Sequence, residues 1–478
     1  MVMVKSKQYR LTRNAVPGAV ELGGWFLETG ASLRVIRVID DSGRATGVLV
    51  GEPFDLHRRE IAGDRLNVRH RYEGDADAFV NRSMDDLSGA YLWFFDDGTG
   101  PLRSYPDPFA QIPVVFDPEI GVATSADSLL DDGAYEARFD AARYRHFGVG
   151  NKGWFPAGMT AHRGVERLLP NHVLDLGDFE VARFWPDGPL HPAADPDAAV
   201  GSLLEHVAMQ IAAVAETRPT VISLTAGQDT RLLLASSRSI AEKADFVTVV
   251  GGDQHSIDSK LARRLAEFAG LRQRELPRIV ATDDEVEAYI RRTGHCVADA
   301  NARYHKSVHL IERGTWFIGG LGGEVGRGFL WRPSDDASLA IEARRLIARF
   351  GLPQDADLEA RLAAWIAAAP KMSGLDLLDL AYIEHRMGPW ASAHFPGDDW
   401  LVALHPMVSR RAITLMLSLP VEWRREGTFA HRVIRRGWPE IMTIPINSLG
   451  FVADTMSKLS RAWKDPKAVV SKLRKMLG

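Results

Sequence analysis

The stretch "TVISLTAGQDTRLLLASS" sets Thr225, Ala226, Gly227, Gln228, Asp229 and Thr230 between an apolar run and a run of leucines. Small residues at 226 and 227 let backbone N–H groups approach an anion closely, and the two threonines add hydroxyl donors. A helix beginning near Asp229 points its positive end at the same spot. That is the chemistry of a phosphate cradle. Asp229 would be repelled by phosphate unless it held Mg2+, directly or through water. The plain alternative makes Asp229 an N-cap and Gly227 a turn residue. Other nucleotide motifs do not fit: no GxxxxGK precedes a Ser or Thr, and "GGLGGEVGRG" fails the GxGxxG spacing.

A loop of this kind works only at the carboxyl end of a parallel strand, so the surrounding pattern has to supply one. It does: "AVGSLLEHVAMQIAAVAE" has helical spacing, "TVISL" and "DFVTVVG" read as strands, and "SKLARRLAEFAG" is an amphipathic helix closed by Gly270. "TWFIGG" is a further strand candidate, and helical patterns dominate from Ile341 onward. Strands alternating with helices argue for a largely parallel sheet. Before it, from Leu33 to about Val181, short apolar bursts such as "LRVIRVI", "AYLWFF" and "PVVF" alternate with turn residues and predict a β-rich domain. The four prolines of "FWPDGPLHPAADPDA" mark the boundary between the two.

With 478 residues the chain is too long for one core, and 46% apolar residues are ordinary for a globular protein. A net charge of −4 argues against a nucleic-acid partner. One cysteine, Cys296, excludes an intramolecular disulfide and fits a reducing compartment, so the expected location is the cytoplasm. No signal peptide and no uncharged run of about 20 apolar residues is legible, so no membrane span is expected.

The loop resembles the SGGxDS pyrophosphate loop of the asparagine synthetase-like ATP pyrophosphatases, with threonine for each serine and Ala226 for the first glycine. "DFVTVVGGDQHSIDSKLARRLAEFAGL" resembles that family's next strand and helix, and "WFIGGLGGEVGRGFLW" its GxGxDExxxGY element, with Glu324 at the metal-binding Asp and Val325 at the Glu. "LSGAYLWFFDDGTGPLRSYPDPFAQIPVVF" resembles the body of the glutaminase domain that precedes the synthetase domain. The resemblance implies an N-terminal Ntn-glutaminase-like layered domain over 1–186, a linker over 187–198, an α/β parallel-sheet ATP pyrophosphatase domain with a helical C-terminal part over 199–455, and a basic tail over 456–478.

It also implies ATP and Mg2+. Ser223 to Thr230, with Leu224 between, would bind pyrophosphate together with Gly322 and Gly323, while Val250 and Gly251 would lie at the nucleotide. Asp229 and Glu324 would hold the metal. Arg231 and Arg327 could face phosphates or an acidic substrate, and Tyr382 and Glu384 of "AYIEHR" stand where β-lactam-forming relatives have an acid/base dyad, although residues two apart do not share a helix face. Lys458 is the first lysine after "IPINSLGF", in a basic run.

The family's glutaminase nucleophile is an N-terminal cysteine, and here residues 2 and 3 are Val and Met. Without a thiolate there is no thioester, so glutamine hydrolysis is not expected and the first domain becomes a scaffold. β-Lactam synthetase-like enzymes and lasso-peptide cyclases resemble this arrangement. The expectation is therefore an AMP-forming ligase that joins a small-molecule or peptide carboxylate to an amine. The rivals are an ammonia-dependent amidotransferase and a non-catalytic binding module. A homodimer is admissible. His305 and His309, four apart, with His295 and Cys296 nearby, form a weaker zinc-like pattern without a third ligand at a persuasive spacing.

Overall fold

The computed structural model describes residues 4–251, 257–393 and 395–447; Lys458 and the basic tail lie outside the described residues. The chain is a mixed α/β protein whose described strands form sheets of six, eight and five.

The N-terminal half holds the first two. In the six-stranded sheet, Tyr9–Thr12 runs antiparallel between Trp25–Thr29 and Gly121–Ala123. In the eight-stranded sheet the long strands Ala45–Asp55 and Leu87–Phe95 pair antiparallel. Side chains alternate along a strand. Val48, Val50, Leu92 and Phe94 accordingly meet Tyr9, Leu11 and Leu27 across one core, while Leu49, Tyr91, Trp93 and Phe95 turn to the other face, against Phe79 and Val80. This explains the unbroken apolar run "AYLWFF": both faces of that strand are buried.

The second half begins with helix α1 (Pro196–Thr217), whose N-terminus Asp195 caps by accepting from the N–H groups of Asp197 and Ala198. The helix therefore begins at Pro196, inside the stretch 187–198 expected as linker. Among the described residues α1 alone is long and apolar enough to cross a membrane. Its apolar face is packed: Val200, Leu203, Val207, Ile211 and Val214 join the core that also takes the far face of the eight-stranded sheet. Strand β1 (Thr220–Ser223), helix α2 (Gln228–Ser236), strand β2 (Asp245–Val250), helix α3 (Ile257–Ala269) and strands β3 (Arg272–Pro277), β4 (Trp316–Ile318) and β5 (Val402–Leu404) follow. All five strands are parallel, in the order β3-β2-β1-β4-β5. Gly270 ends α3 at φ 64, the left-handed conformation a helix stop favours.

Two strands of this sheet carry no clear pattern in the sequence. β3, "RQRELP", is an edge strand with mostly solvated side chains, and β5 is three residues long.

α1 also buries polar groups. His206 Nε2 lies 2.8 Å from Ser409 Oγ, and burial, with the charge of Arg411, pushes its pKa down to about 3. Unfolded, the same imidazole takes a proton below about 6.5. The unfolded state thus gains protons that the fold refuses, and stability must fall as the pH drops from about 6.5 toward 3, by about 1.4 kcal/mol per pH unit for this one group. Denaturant titrations across that range should show a shallower pH slope in His206→Gln than in the wild type; equal slopes would contradict this assignment.

Candidate active site

In the order β3-β2-β1-β4-β5, β1 is where the winding reverses, and the crevice beyond the carboxyl ends of β1 and β4 is where such sheets bind ligands. The loop leaving β1 and the loop leaving β4 meet there. Contact is close enough that only glycine fits: a methyl group on Gly323 would collide with Asp229 Oδ1, and one on Gly320 would come 3.0 Å from Asp229 Cβ. Gly322, at φ 99, makes the left-handed turn between them. Ser223 ends β1, and Leu224, fully buried, donates its N–H to the Val247 carbonyl at 2.9 Å and so ties the loop to β2.

The β1 loop is internally braced. Thr225 and Thr230 place their hydroxyl oxygens 2.9 Å apart. The Thr225 N–H donates to Thr230 Oγ1 at 3.2 Å and the Gly227 N–H to Thr225 Oγ1 at 3.1 Å. The Ala226 N–H donates to the carboxylate of Asp258, 3.1 Å away in the first turn of α3. These three N–H groups are thus engaged by the protein, and Asp258 occupies the position expected for a bound anion. The N-cap of α2 is Gly227, which has no side chain to satisfy the first N–H groups of the helix.

Asp229, in the first turn of α2, faces Glu324 in the short helical turn Gly323–Arg327. Arg327 donates to Asp229 Oδ2 at 2.9 Å and to Gln228 Oε1 at 3.2 Å, and lies 4.0 Å from Glu324 Oε1. Burial, and then the charge of Glu324, push the Asp229 carboxyl above the usual carboxylate range, with Arg327 pulling the other way. The second oxygens, Asp229 Oδ1 and Glu324 Oε2, are both buried and, among the described residues, accept no hydrogen bond. Two adjacent, unpartnered carboxylate oxygens are the hard donors that Mg2+ uses when phosphates and water complete its shell. Among the described residues no group of three or more His, Cys, Asp or Glu is placed to hold a metal by itself.

Other residues singled out in the sequence lie elsewhere. Arg231 is fully buried and donates to the carbonyls of Ile441, Ile444 and Pro445, not toward the loop it follows. Glu384 is equally buried. It accepts from Arg183 at 2.5 and 2.9 Å, from Trp365 Nε1 at 2.6 Å and from Asn171 at 3.1 Å, which joins the two halves of the chain. Tyr382 instead stacks on Phe329, ring centres 4.6 Å apart, and senses the charges of Glu324 and Asp229, so no Tyr382–Glu384 dyad forms. The turn Tyr382–Met387 is π-helical and turns the two side chains apart. Val250 and Gly251 stand at the end of β2, with Arg278 beside Gly251. His305 stacks on Tyr289 and lies edge-on to His309, ring centres 6.3 Å apart; His309 pairs with Asp398 at 2.6 Å, His295 meets the Tyr135 hydroxyl at 2.9 Å, and Cys296 is buried, so among the described residues the four do not gather into one metal site.

Three residues around the site were not singled out in the sequence: Asp258, Phe329 and Arg386. The acid at the head of an Ala-rich helix was a usable signal for Asp258. Phe329 lies inside the quoted element that carries Glu324, while for Arg386 there was no signal, because its position depends on the π turn.

No protein-family model matches the chain, and no curated protein matches its sequence. Among solved structures it is similar to NMN synthetase from Francisella tularensis, at 12% identity over 40% of this chain and 93% of that one, with a TM-score of 0.21. A second is NAD+ synthetase from Burkholderia pseudomallei, at 16% identity over 42% and 84%, with a TM-score of 0.18. Superpositions this loose carry no argument, and the chemistry has to be read from the site.

The placement of Glu384 generates a test. Glu384→Gln leaves Arg183 buried without its counter-charge, and breaking such a pair costs about 3–5 kcal/mol. Chemical denaturation should show a loss of that order for Glu384→Gln, whereas Tyr382→Phe, which keeps the ring stack, should unfold within about 1 kcal/mol of the wild type. Comparable small losses in both would remove the structural role given to Glu384.

Proposed function

We propose that the protein is an ATP-dependent, AMP-forming ligase that activates a carboxylic acid and passes the acyl group to an amine. The observation that carries this reading is the pair of buried, unpartnered oxygens on Asp229 and Glu324, set between two glycine-lined loops at the switch point of a parallel sheet. Attack of a carboxylate oxygen on the α-phosphorus forms the acyl-adenylate and releases pyrophosphate; attack of the amine then forms the amide and releases AMP. Both steps gather negative charge on phosphate oxygens, and preorganised donors aimed at that charge lower the barrier.

Each residue then has a task. The N-terminus of α2 binds the polyphosphate, and the Thr225 and Thr230 hydroxyls fix the loop in shape. Asp229 and Glu324 would hold Mg2+, which supplies charge neutralisation on the pyrophosphate. Arg327 balances the two carboxylates and keeps them side by side. The N-terminal domain, a glutaminase-type layer without its cysteine, serves as scaffold, and the amine or ammonia comes from solution. The expected compartment is the cytoplasm.

A second reading, a non-catalytic binding module, is favoured by one observation: Asp258 already takes the Ala226 N–H. Calorimetric titration with Mg·ATP separates the two. The wild type should bind, and Asp229→Asn and Glu324→Gln should each weaken binding at least about tenfold, the scale of one lost charge-assisted contact. A folded wild type that binds no Mg·ATP would leave the binding-module reading in place.

A further inference from the structure

A cavity of about 260 Å3 sits where the first described residues of the chain meet its second half, and it shares no lining residue with the candidate active site. Residues 5–7 form one wall, one face of the helix Asp283–Arg292 a second, and residues 396–399 a third. Three carboxylates line it, and each already holds a basic partner. Glu285 takes Lys306, Asp398 takes His309 at 2.6 Å, and Asp399 takes Arg313 at 2.6 Å together with the Ser6 hydroxyl at 2.5 Å. Lys5 is paired in turn with Asp127 at 2.7 Å.

Two cations of the lining are left over. Lys7, only 9% exposed, donates to the Leu401 carbonyl at 2.6 Å and lies 5.2 Å from the centre of the Phe395 ring. Arg292 donates from Nη2 to the Gly397 carbonyl at 2.7 Å, and its Nε is buried without a partner. Among the described residues neither has a carboxylate within ion-pair distance, whereas buried cations are ordinarily paired. One carbonyl each leaves most of their N–H donors unused, since an ammonium has three and a guanidinium five. Burial pushes the Lys7 ammonium below its ordinary range while Asp398, Glu52 and Asp399 pull it back, and an anion beside it would add to that pull. His305 lines the same cavity: its Nδ1 gives its proton to the Ala302 carbonyl at 2.7 Å, which leaves Nε2 for a ligand.

Two uncompensated cations on different walls match a dianion better than a monocarboxylate, which would answer only one of them. A phosphate group carries nearly two charges at neutral pH and three strong acceptor oxygens, and the cavity leaves room for a small organic body beside it. We propose that this cavity seats a phosphate group, free or at the end of a small phosphorylated metabolite, between Lys7 and Arg292. The seat is independent of the ligase reading, because neither the β1 loop nor the β4 loop takes part in it. Lys7 comes from the first half of the chain and Arg292 from the second, so the bound anion ties the two together and stabilises the fold by mass action.

The test is calorimetric and thermal-melt titration of the full chain with sodium phosphate, glycerol 3-phosphate and ribose 5-phosphate, each against sodium chloride of equal ionic strength. The wild type should bind at least one of the three, and its melting temperature should climb with that compound and not with chloride. Lys7→Met and Arg292→Met should each weaken the binding about tenfold or more, the scale of one lost charge-assisted contact, and leave the response to Mg·ATP as it is in the wild type. Arg292→Lys, which keeps a cation, should retain part of the affinity and covers the case in which a methionine variant unfolds. Tighter binding of a phosphomonoester would assign the seat to a metabolite, and tighter binding of inorganic phosphate to the free ion. The proposal is overturned if no phosphate compound outdoes chloride, or if binding survives in either folded methionine variant. It is equally overturned if those variants lose Mg·ATP together with phosphate, which would place the phosphate in the candidate active site.

Discussion

Two half-buried carboxylates, Asp229 and Glu324, face each other at the head of β1 and β4, and the elements around them are arranged to make that tolerable. Like charges at this range repel strongly where water is scarce. Arg327 answers with one hydrogen bond to Asp229 and a longer approach to Glu324, and its side chain is held in turn by Gln228. The glycines at 320 and 323 serve the same arrangement: a side chain there would displace Asp229. An arrangement that costs stability and is braced from three sides is the signature of a site rather than of a core.

The rest of the molecule holds those elements still. Charged side chains cross between the two halves of the chain in well-formed pairs: Arg183 on Glu384, and Arg361 on Glu166 at 2.6 and 2.8 Å. Arg410, nearly inaccessible, lies over the Trp185 ring and donates to Asn81. Such pairs add little net stability over apolar contacts, but they are unforgiving of misplacement. They fix the turn Tyr382–Met387 against the N-terminal sheets. The N-terminal sheets therefore help to hold that turn in place.

How much of this was legible depends on whether a feature is written locally. The loop from Ser223 to Thr230, the glycines from 319 to 323 and the strands β1, β2 and β4 are short-range patterns, and the sequence carries them openly. β3 is not, since an edge strand need bury little and reads as a polar loop. The direction of Arg231 was readable in principle. It stands two residues after Asp229 on one helix, about 200° around the axis, so if Asp229 faces the β4 loop, Arg231 cannot. The same arithmetic separates Tyr382 from Glu384. Arg386 was beyond reach, because a π turn leaves no mark in composition and only the fold shows that the rings of Trp154 and Trp390 flank it.

The four cations around this region divide the work by what surrounds each. Arg231 is walled in by carbonyls and anchors the chain near Pro445. Arg183 is saturated by a carboxylate and joins domains. Arg327 is shared between two carboxylates and balances them. Arg386 has aromatic faces and, among the described residues, no anion within ion-pair distance. Proximity to the loop in sequence would rank Arg231 first for ligand binding, and the environments rank it last. For a buried guanidinium, the partner it lacks says more about function than the motif it follows.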